Sequence, residues 1–413
     1  MLLALSGTAP GAPNSESKVD GDVVGRNKKL PKIVEDLSGE IKEVSRFIYS
    51  HPELGSEERQ ACGLLVSKLR GHGVEVTENY LGMDTAFLGR VGDGDPKVAV
   101  FAEYDALGTT ESPIGHACGH NLIGAWAFGV AAAFAKAGGS RGTLYVVGSP
   151  AEEGRGKYAC SKIMIAPDLK ERGVKAVFAV HPMGIWCVGG GCLGASRRSF
   201  TFHGRDAHAA ASPEQGLNAL DAAVHFYLEV RMMRAMVQRG KDVILSAVIR
   251  QGGLVPSILP GKTEVWLDVR ANDSDYMREL GEKTKMVAKN AAELTGCTVE
   301  CADLQTSLDS MKRYPELDTL FYKHATEYVP NVTSPEQAWS AIPIASTDVG
   351  NVSQIIPTTQ LLIKIGRDKL PPHSEEWRTR AGTAEAEEAL LTSVAIAYDA
   401  IRSYLSVNEN AKK

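Results

Sequence analysis

Side chains able to hold a metal are concentrated in a few short stretches of this chain. His116-Ala117-Cys118-Gly119-His120 precedes an alanine-rich segment, Glu152-Glu153 follows the apolar run Leu144 to Gly148, and His181 follows the apolar run Ala176 to Val180. Thiolate, imidazole and carboxylate donors together suit zinc or another divalent first-row metal. A Cys-x-His pair grips an ion locally, and ligands from separate segments fix its geometry. Two adjacent glutamates allow the labour to be divided: one coordinates, and the other takes a proton from metal-bound water. The metal lowers the pKa of that water from about 15.7 towards about 7, which puts the transfer within reach of a carboxylate. A Cys118 nucleophile with His116 or His120 as base is the weaker alternative, since such partners usually lie far apart in sequence. Singly, a histidine after a strand or a lone cysteine is more often a packed structural residue. The conjunction is what points to a metal.

These residues need a frame. The segments Val98 to Phe101, Leu144 to Gly148 and Ala176 to Val180 are too short for helices and read as buried sheet strands. Leu122 to Ala137 between the first two is a good helix, so the layering is α/β and ligands are expected beyond the carboxyl ends of the strands. Upstream, Ile33, Leu37, Ile41, Val44 and Ile48 recur at helical steps over Lys32 to Tyr49. His51-Pro52 stops that helix, Ser56 with Glu57 and Glu58 opens a second one to about Arg70, and a strand follows at Val74 to Glu78. From residue 196 the order changes to strand 196–203, helix 216–237, strands 242–251 and 262–271, helix 275–294 and strand 297–304. That is the βαββαβ pattern of a ferredoxin-like unit. Helix 315–328, strand 359–365 and a long helix at about 381–405 complete the chain. The expected architecture is a large α/β domain with a mixed central sheet at 30–195 and 306–413, interrupted by an inserted ferredoxin-like α+β domain at 196–305. Residues 1–29, rich in Gly, Ser, Asn, Pro and charge, read as a flexible arm.

Composition narrows the class. Of 413 residues, 44% are hydrophobic and 23% charged, a globular balance. Forty-five Lys and Arg against 50 Asp and Glu give a formal charge of -5, which argues against a nucleic-acid partner. No apolar run reaches the roughly 18 residues of a membrane span. The opening MLLAL is too short for a secretory signal. Seven cysteines, an odd and scattered number, do not make a disulfide framework and point to a reducing, cytoplasmic setting.

In order along the chain, AEYDAL (102–107), GHACGHN (115–121), PAEEG (150–154), AVHP (179–182), HGRDAHAAASPEQGLNALDA (203–222), STDVGNVS (346–353) and PPHSEEW (371–377) resemble the M20 metallopeptidase and amidohydrolase family. The resemblance extends from about residue 32 to 405, and is to the branch holding peptidase M20 domain-containing protein 2 and aminobenzoyl-glutamate hydrolase-like proteins. It implies a site of two divalent ions per subunit, Zn or Mn first and Co or Ni tolerated, held by Cys118, His120, Glu153, His181 and His373. It makes Glu152 the general base, Asp105 a support of the ligands, and His116 a neighbour of Asp105. It makes His208 a histidine of the inserted lid that polarises the scissile carbonyl, often across a dimer, and Arg270 a partner for a substrate carboxylate. Ser257 stands where many relatives have asparagine near the substrate, and Asn121 where hippurate-type enzymes have aspartate. Arg155 and Tyr158 fall in a loop that relatives fill with glycine.

The expected activity is therefore metal-dependent hydrolysis of an amide in a small carboxylate-bearing molecule: a dipeptide, an N-acyl amino acid or an aminobenzoyl-glutamate-like conjugate. Partners would be that small molecule and a second copy bound through the inserted domain, with neither nucleic acid nor membrane. Amide formation or deacylation at the same site, and a non-catalytic binding protein on the same fold, are the alternatives.

Overall fold

The computed structural model describes residues 27–108, 114–138, 141–237, 242–341 and 345–410, so all but the last three residues of the expected arm lie outside it. Helix α1 (Lys32–Ser50) forms on the expected period, but its buried stripe is Val34, Leu37, Ile41, Val44 and Ile48, with Ile33 only half-buried. Helix α2 (Arg59–Gly71) starts three residues later than expected. Ser56 has a left-handed φ of 71° and caps nothing. The Glu53 carboxylate instead accepts from the amides of Gln60 and Ala61 at 3.0 Å, next to the positive end of the helix.

The chain continues through β1 (Glu75–Glu78), β2 (Phe87–Ala102), α3 (His120–Lys136), β3 (Arg141–Gly148), α4 (Lys162–Glu171), β4 (Val174–Met183) and the short β5 (Cys187–Val188). Strand β2 wraps around the start of β3. Phe87 faces Gly148 and Gly92 faces Thr143 on the way down, and Lys97 faces Thr143 and Ala102 faces Gly148 on the way back. The returning half runs parallel to β4, which runs parallel to β12 (Thr358–Lys364), while β1 and β5 are antiparallel at the margins. The central sheet is therefore mixed, and its parallel strands deliver their carboxyl ends to one edge. Helix α3 is buried on every face from His120 to Phe134, packed between this sheet, α1 and the last helix.

A second sheet has the order β11-β6-β10-β8, with every neighbour antiparallel. It comprises β6 (Gly194–His203), β8 (Val243–Gln251), β10 (Lys262–Ala271) and β11 (Thr298–Asp303), and a separate two-stranded pair joins β7 (Ala207–His208) to β9 (Ile258–Leu259). Helices α5 (Ala219–Val237) and α6 (Ser274–Leu294) cover one face, and Phe200, Phe202, Phe226, Val265 and Leu267 fill a core distinct from that of the central sheet. This is the ferredoxin-like arrangement. The remaining helices are α7 (Pro315–Tyr328), α8 (Pro335–Ser340), α9 (Val349–Ile355), α10 (Glu375–Ala381) and α11 (Ala384–Asn410). The C-terminal helix expected from about 381 is α11, which begins three residues later, and the short α10 precedes it. Gly382, against the Tyr49 ring, breaks the run, and the Thr383 hydroxyl accepts from the Ala386 amide to start α11.

The turn after β3 is held from a distance. Ala151, at φ 59°, donates its amide to Glu58 Oε1 at 2.8 Å, and the other Glu58 oxygen is buried without a partner. Burial, and then the charge of Asp105, lift the Glu58 carboxyl from 4.5 to about 7. The folded chain therefore holds a proton that the unfolded chain releases, and stability is lost as pH rises from about 4.5 through about 7. Between pH 4.5 and 8, denaturant titrations should show wild type losing on the order of 3 kcal/mol relative to Glu58→Gln. Parallel pH profiles for the two proteins would refute this.

Candidate metal centre

Three loops and the end of strand β4, at the carboxyl edge of the central sheet, build the site. Strand β2 ends at Ala102 and releases Glu103 and Asp105. Gly119, at φ 78°, turns the chain between Cys118 and His120, and a Cβ there would lie 2.9 Å from Pro182. His120 is the first residue of α3 rather than preceding it. Glu152 and Glu153 follow β3, and His181 lies inside β4, opposite Leu362, because that strand runs on to Met183. His373 arrives from beyond β12 at φ 56°, its amide bonded to the Ala117 carbonyl at 3.2 Å.

All five expected ligands converge. Cys118 Sγ is 3.4 Å from His181 Nε2, and His373 Nε2 is 3.5 Å from Glu153 Oε1. His120 Nε2 is 3.9 Å from both Glu152 Oε2 and Glu153 Oε1. The donor atoms form overlapping groups, Cys118–His120–His181, Cys118–Glu153–His373 and Glu103–His120–Glu152, each within 4.8 Å. Overlap of this kind makes room for two neighbouring ions. His120 Nε2 and Glu153 Oε1 are buried with no hydrogen-bond partner, which is the state of a donor aimed at a cation. A further acidic group, His324–Glu327–Asp399, does not have this character. The Lys28 ammonium already sits on it, 2.8 Å from Glu327 and 2.9 Å from Asp399.

Hydrogen bonds set the tautomers. Asp105 Oδ1 takes His120 Nδ1–H at 2.8 Å and Oδ2 accepts the Glu153 amide at 3.0 Å, so one carboxylate orients the His120 imidazole and the Glu153 loop. His181 Nδ1–H donates to the Pro182 carbonyl at 2.7 Å. Both rings turn Nε2 toward the clustered donor atoms. Burial pushes His181 down to about 4, keeping it neutral. Burial opposes ionisation of Asp105, yet His120 beside it holds its carboxyl below the usual range. Burial and neighbouring acids push Cys118, Glu152 and Glu153 up. A pocket that strains so many anions is stabilised by added positive charge, and divalent ions fit it.

The other residues singled out in the sequence have these surroundings. His116 lies within electrostatic reach of Asp105 and gives its hydrogen bond to the Ile48 carbonyl at 2.9 Å, which ties the loop to α1; burial pushes it to about 3. Asn121 is bonded to Ser45 and the Ala381 carbonyl in the core. Tyr158 is buried, its hydroxyl donating to Asp84 and its amide to the Ser56 hydroxyl. His208 belongs to none of the metal-capable groups among the described residues. It is exposed on β7, beside exposed Ser257, whose carbonyl accepts the Ala209 amide at 2.9 Å. Arg270, half-buried on β10, bonds Asp268 at 2.8 Å and reaches Ser346 at 3.5 Å. Sequence reasoning missed a buried trio, Glu103, Lys162 and Asp348, linked through the Lys162 ammonium at 2.9 and 2.6 Å. Glu103 and Asp348 stood in quoted motifs, whereas Lys162 gave no signal beyond that of an ordinary helix lysine.

Fold and donor set define a metal-dependent hydrolase. The profile of Peptidase family M20/M25/M40 matches residues 100–403, and the chain belongs to this family. It is 29% identical over 418 residues to the Xaa-Arg dipeptidase of Mus musculus, covering 95% of this chain and 91% of the relative. It is 26% identical to one chain of the p-aminobenzoyl-glutamate hydrolase of Escherichia coli (strain K12), covering 84% of this chain and 85% of that one. Among solved structures, the Bacillus subtilis YXEP protein, a dinuclear metal binding peptidase from the M20 family, superposes with a TM-score of 0.69 at 19% identity over 90% of this chain and 99% of that one. The aminobenzoyl-glutamate utilization protein of Klebsiella pneumoniae gives 0.64 at 17% over 91% and 98%. The chain is an enzyme of metal-dependent amide hydrolysis.

Asp105→Asn tests the support given to His120. Metal affinity, measured by competition with a chromogenic chelator, should fall about 10–100-fold in a folded protein. Unchanged affinity would remove Asp105 from this role.

Proposed function

We propose that the chain hydrolyses the amide of a small carboxylate-bearing molecule, of the dipeptide, N-acyl amino acid or aminobenzoyl-glutamate type, at two divalent ions held by Cys118, His120, Glu153, His181 and His373. The observation that carries this is the overlap of the donor groups around buried, unpartnered ligand atoms, with Glu152 beside them. Zn or Mn suits the mixed sulfur, nitrogen and oxygen set first, and Co or Ni is tolerated. Bound there, the ions would polarise the scissile carbonyl and acidify water. Glu152 takes a proton from the attacking water and passes it to the departing amine nitrogen.

The catalytic unit is assigned to 30–195 and 306–413, and the insert at 196–305 contributes the substrate-facing side chains. His208 Nδ1 accepts from the amides of Ala210 and Ala211 at 3.2 and 3.0 Å. Its proton therefore sits on Nε2, and the ring can donate to an oxyanion once the lid closes, in its own subunit or its partner. Arg270 offers a guanidinium to the substrate carboxylate near the loop that bears Ser346 and Asp348. Ser257 lines the same approach as His208.

A homodimer is supported by one margin of the insert. Val224, Leu228, Met232 and Met236 stand exposed at four-residue steps on α5, and on the other face of the sheet Ile244 and Val248 are exposed on β8, a strand at its edge. A second copy would cover this stripe and extend the edge. All seven cysteines are free and six are buried, in keeping with a reducing cytoplasm. Among the described residues, no helix is long and apolar enough to cross a membrane.

Glu152→Gln should retain both ions and lose turnover by about 10²–10⁴-fold on a panel of dipeptides and N-acyl amino acids. Wild-type rates in that variant would contradict the assigned base. Separately, Leu228→Glu with Met232→Glu should convert a dimer into a monomer by light scattering. A wild type that is monomeric at all concentrations would end the dimer reading.

A further inference from the structure

The buried trio plays no part in the chemistry above, and its geometry is one-sided. The Lys162 ammonium lies 2.6 Å from Asp348 Oδ1, and the Lys162 amide donates to Asp348 Oδ2 at 3.1 Å, so both Asp348 oxygens are occupied. Glu103 is only half occupied. Its Oε1 takes the ammonium at 2.9 Å, while Oε2 is buried, has no hydrogen-bond partner and lies 3.6 Å from His120 Nε2. That nitrogen is the one Asp105 turns toward the ions. The donor atoms of Glu103, His120 and Glu152 fall within 4.8 Å of one another. A bare carboxylate oxygen in a dry interior is costly unless a cation or donor meets it. An ammonium that consumes one oxygen and leaves the other aimed beside a ligand nitrogen fixes the carboxylate as an outer partner fixes a ligand.

We propose that Glu103 is an additional carboxylate donor of the metal centre, to the ion that His120 binds, and that Lys162 and Asp348 are positioning residues that fix which oxygen it presents. This rests on the two-metal reading above. A second carboxylate makes that position more anionic and oxygen-rich, so it favours Mn²⁺ relative to Zn²⁺ more than a sulfur and imidazole set alone would.

The test is metal binding, not turnover. Metal-free wild type and Glu103→Gln are titrated with Mn²⁺ and with Zn²⁺ against a chelator, with folding followed by circular dichroism and coordination by the visible spectrum of the Co²⁺ forms. The folded Gln variant should hold one of its two ions at least about tenfold more weakly, lose more affinity for Mn²⁺ than for Zn²⁺, and show an altered Co²⁺ spectrum. Asp348→Asn should move affinity in the same direction, and Glu103→Asp should fall between wild type and Gln. Should the Gln variant not fold, Glu103→Asp carries the test, with weaker binding expected from its shortened reach. A folded variant with wild-type affinities and Co²⁺ spectrum overturns the role of Glu103 alone. A wild type that takes up no divalent ion overturns the metal reading with it.

Discussion

The constraint on which the structure turns is the burial of like charge. Glu103, Asp105, Glu152, Glu153 and Asp348 crowd one sheet edge with little access to solvent, and Lys162 is the ammonium buried among them. Anions in a low-dielectric interior repel one another and lose hydration, and the loss is tolerable only where positive charge is near. The Lys162 ammonium and the imidazoles share that duty, and divalent ions bound at the proposed centre would add to it. The apolar walls of the central core, by excluding water, make each of these interactions stronger and each unpaired anion more costly.

The sheet topology is what brings such charges together. Because the returning half of β2 and strands β3, β4 and β12 run the same way, segments distant in sequence open onto one edge. Each loop is then pinned by a different polar contact: Glu58 holds the Ala151 turn, Ile48 holds His116, and the Ala117 carbonyl holds His373. Asp105 spans two of them through its two oxygens. Rigid spacing of the donors thus comes from polar contacts that tie each loop to a neighbouring element and not from any one loop.

How much of this was legible follows from the range of the forces involved. The apolar runs and helix periods depend on local pattern, and the ferredoxin-like order could be read from them almost to the residue, as with strand 262–271. Cys118, His120, Glu153 and His181 were legible because each stands at the end of such a run. His373 was not, since only the fold closes the distance from the far side of β12, and the resemblance to a family was needed to name it. Lys162 left no trace because a lysine in a helix is ordinarily solvated. Its burial depends on Asp348, 186 residues away. Ser56 misled for the opposite reason: its residue type suits a cap, but the carboxylate of Glu53 had taken the helix amides.

The division between the adjacent glutamates shows the same logic at the smallest scale. Nothing in the pair Glu152-Glu153 distinguishes acid from ligand. In the fold, Glu153 has its amide held by Asp105 and its carboxylate turned toward the imidazoles of His120 and His373; burial raises its carboxyl, and the two imidazoles offset part of that rise. Glu152, one residue earlier, meets burial and the charges of Glu103 and Asp348, against which Lys162 is only partial relief. Like charges favour the protonated form, and nearby cationic groups favour the anion. Two identical side chains thus meet unlike surroundings: the imidazoles of His120 and His373 face Glu153, and the charges of Glu103 and Asp348 oppose the Glu152 anion.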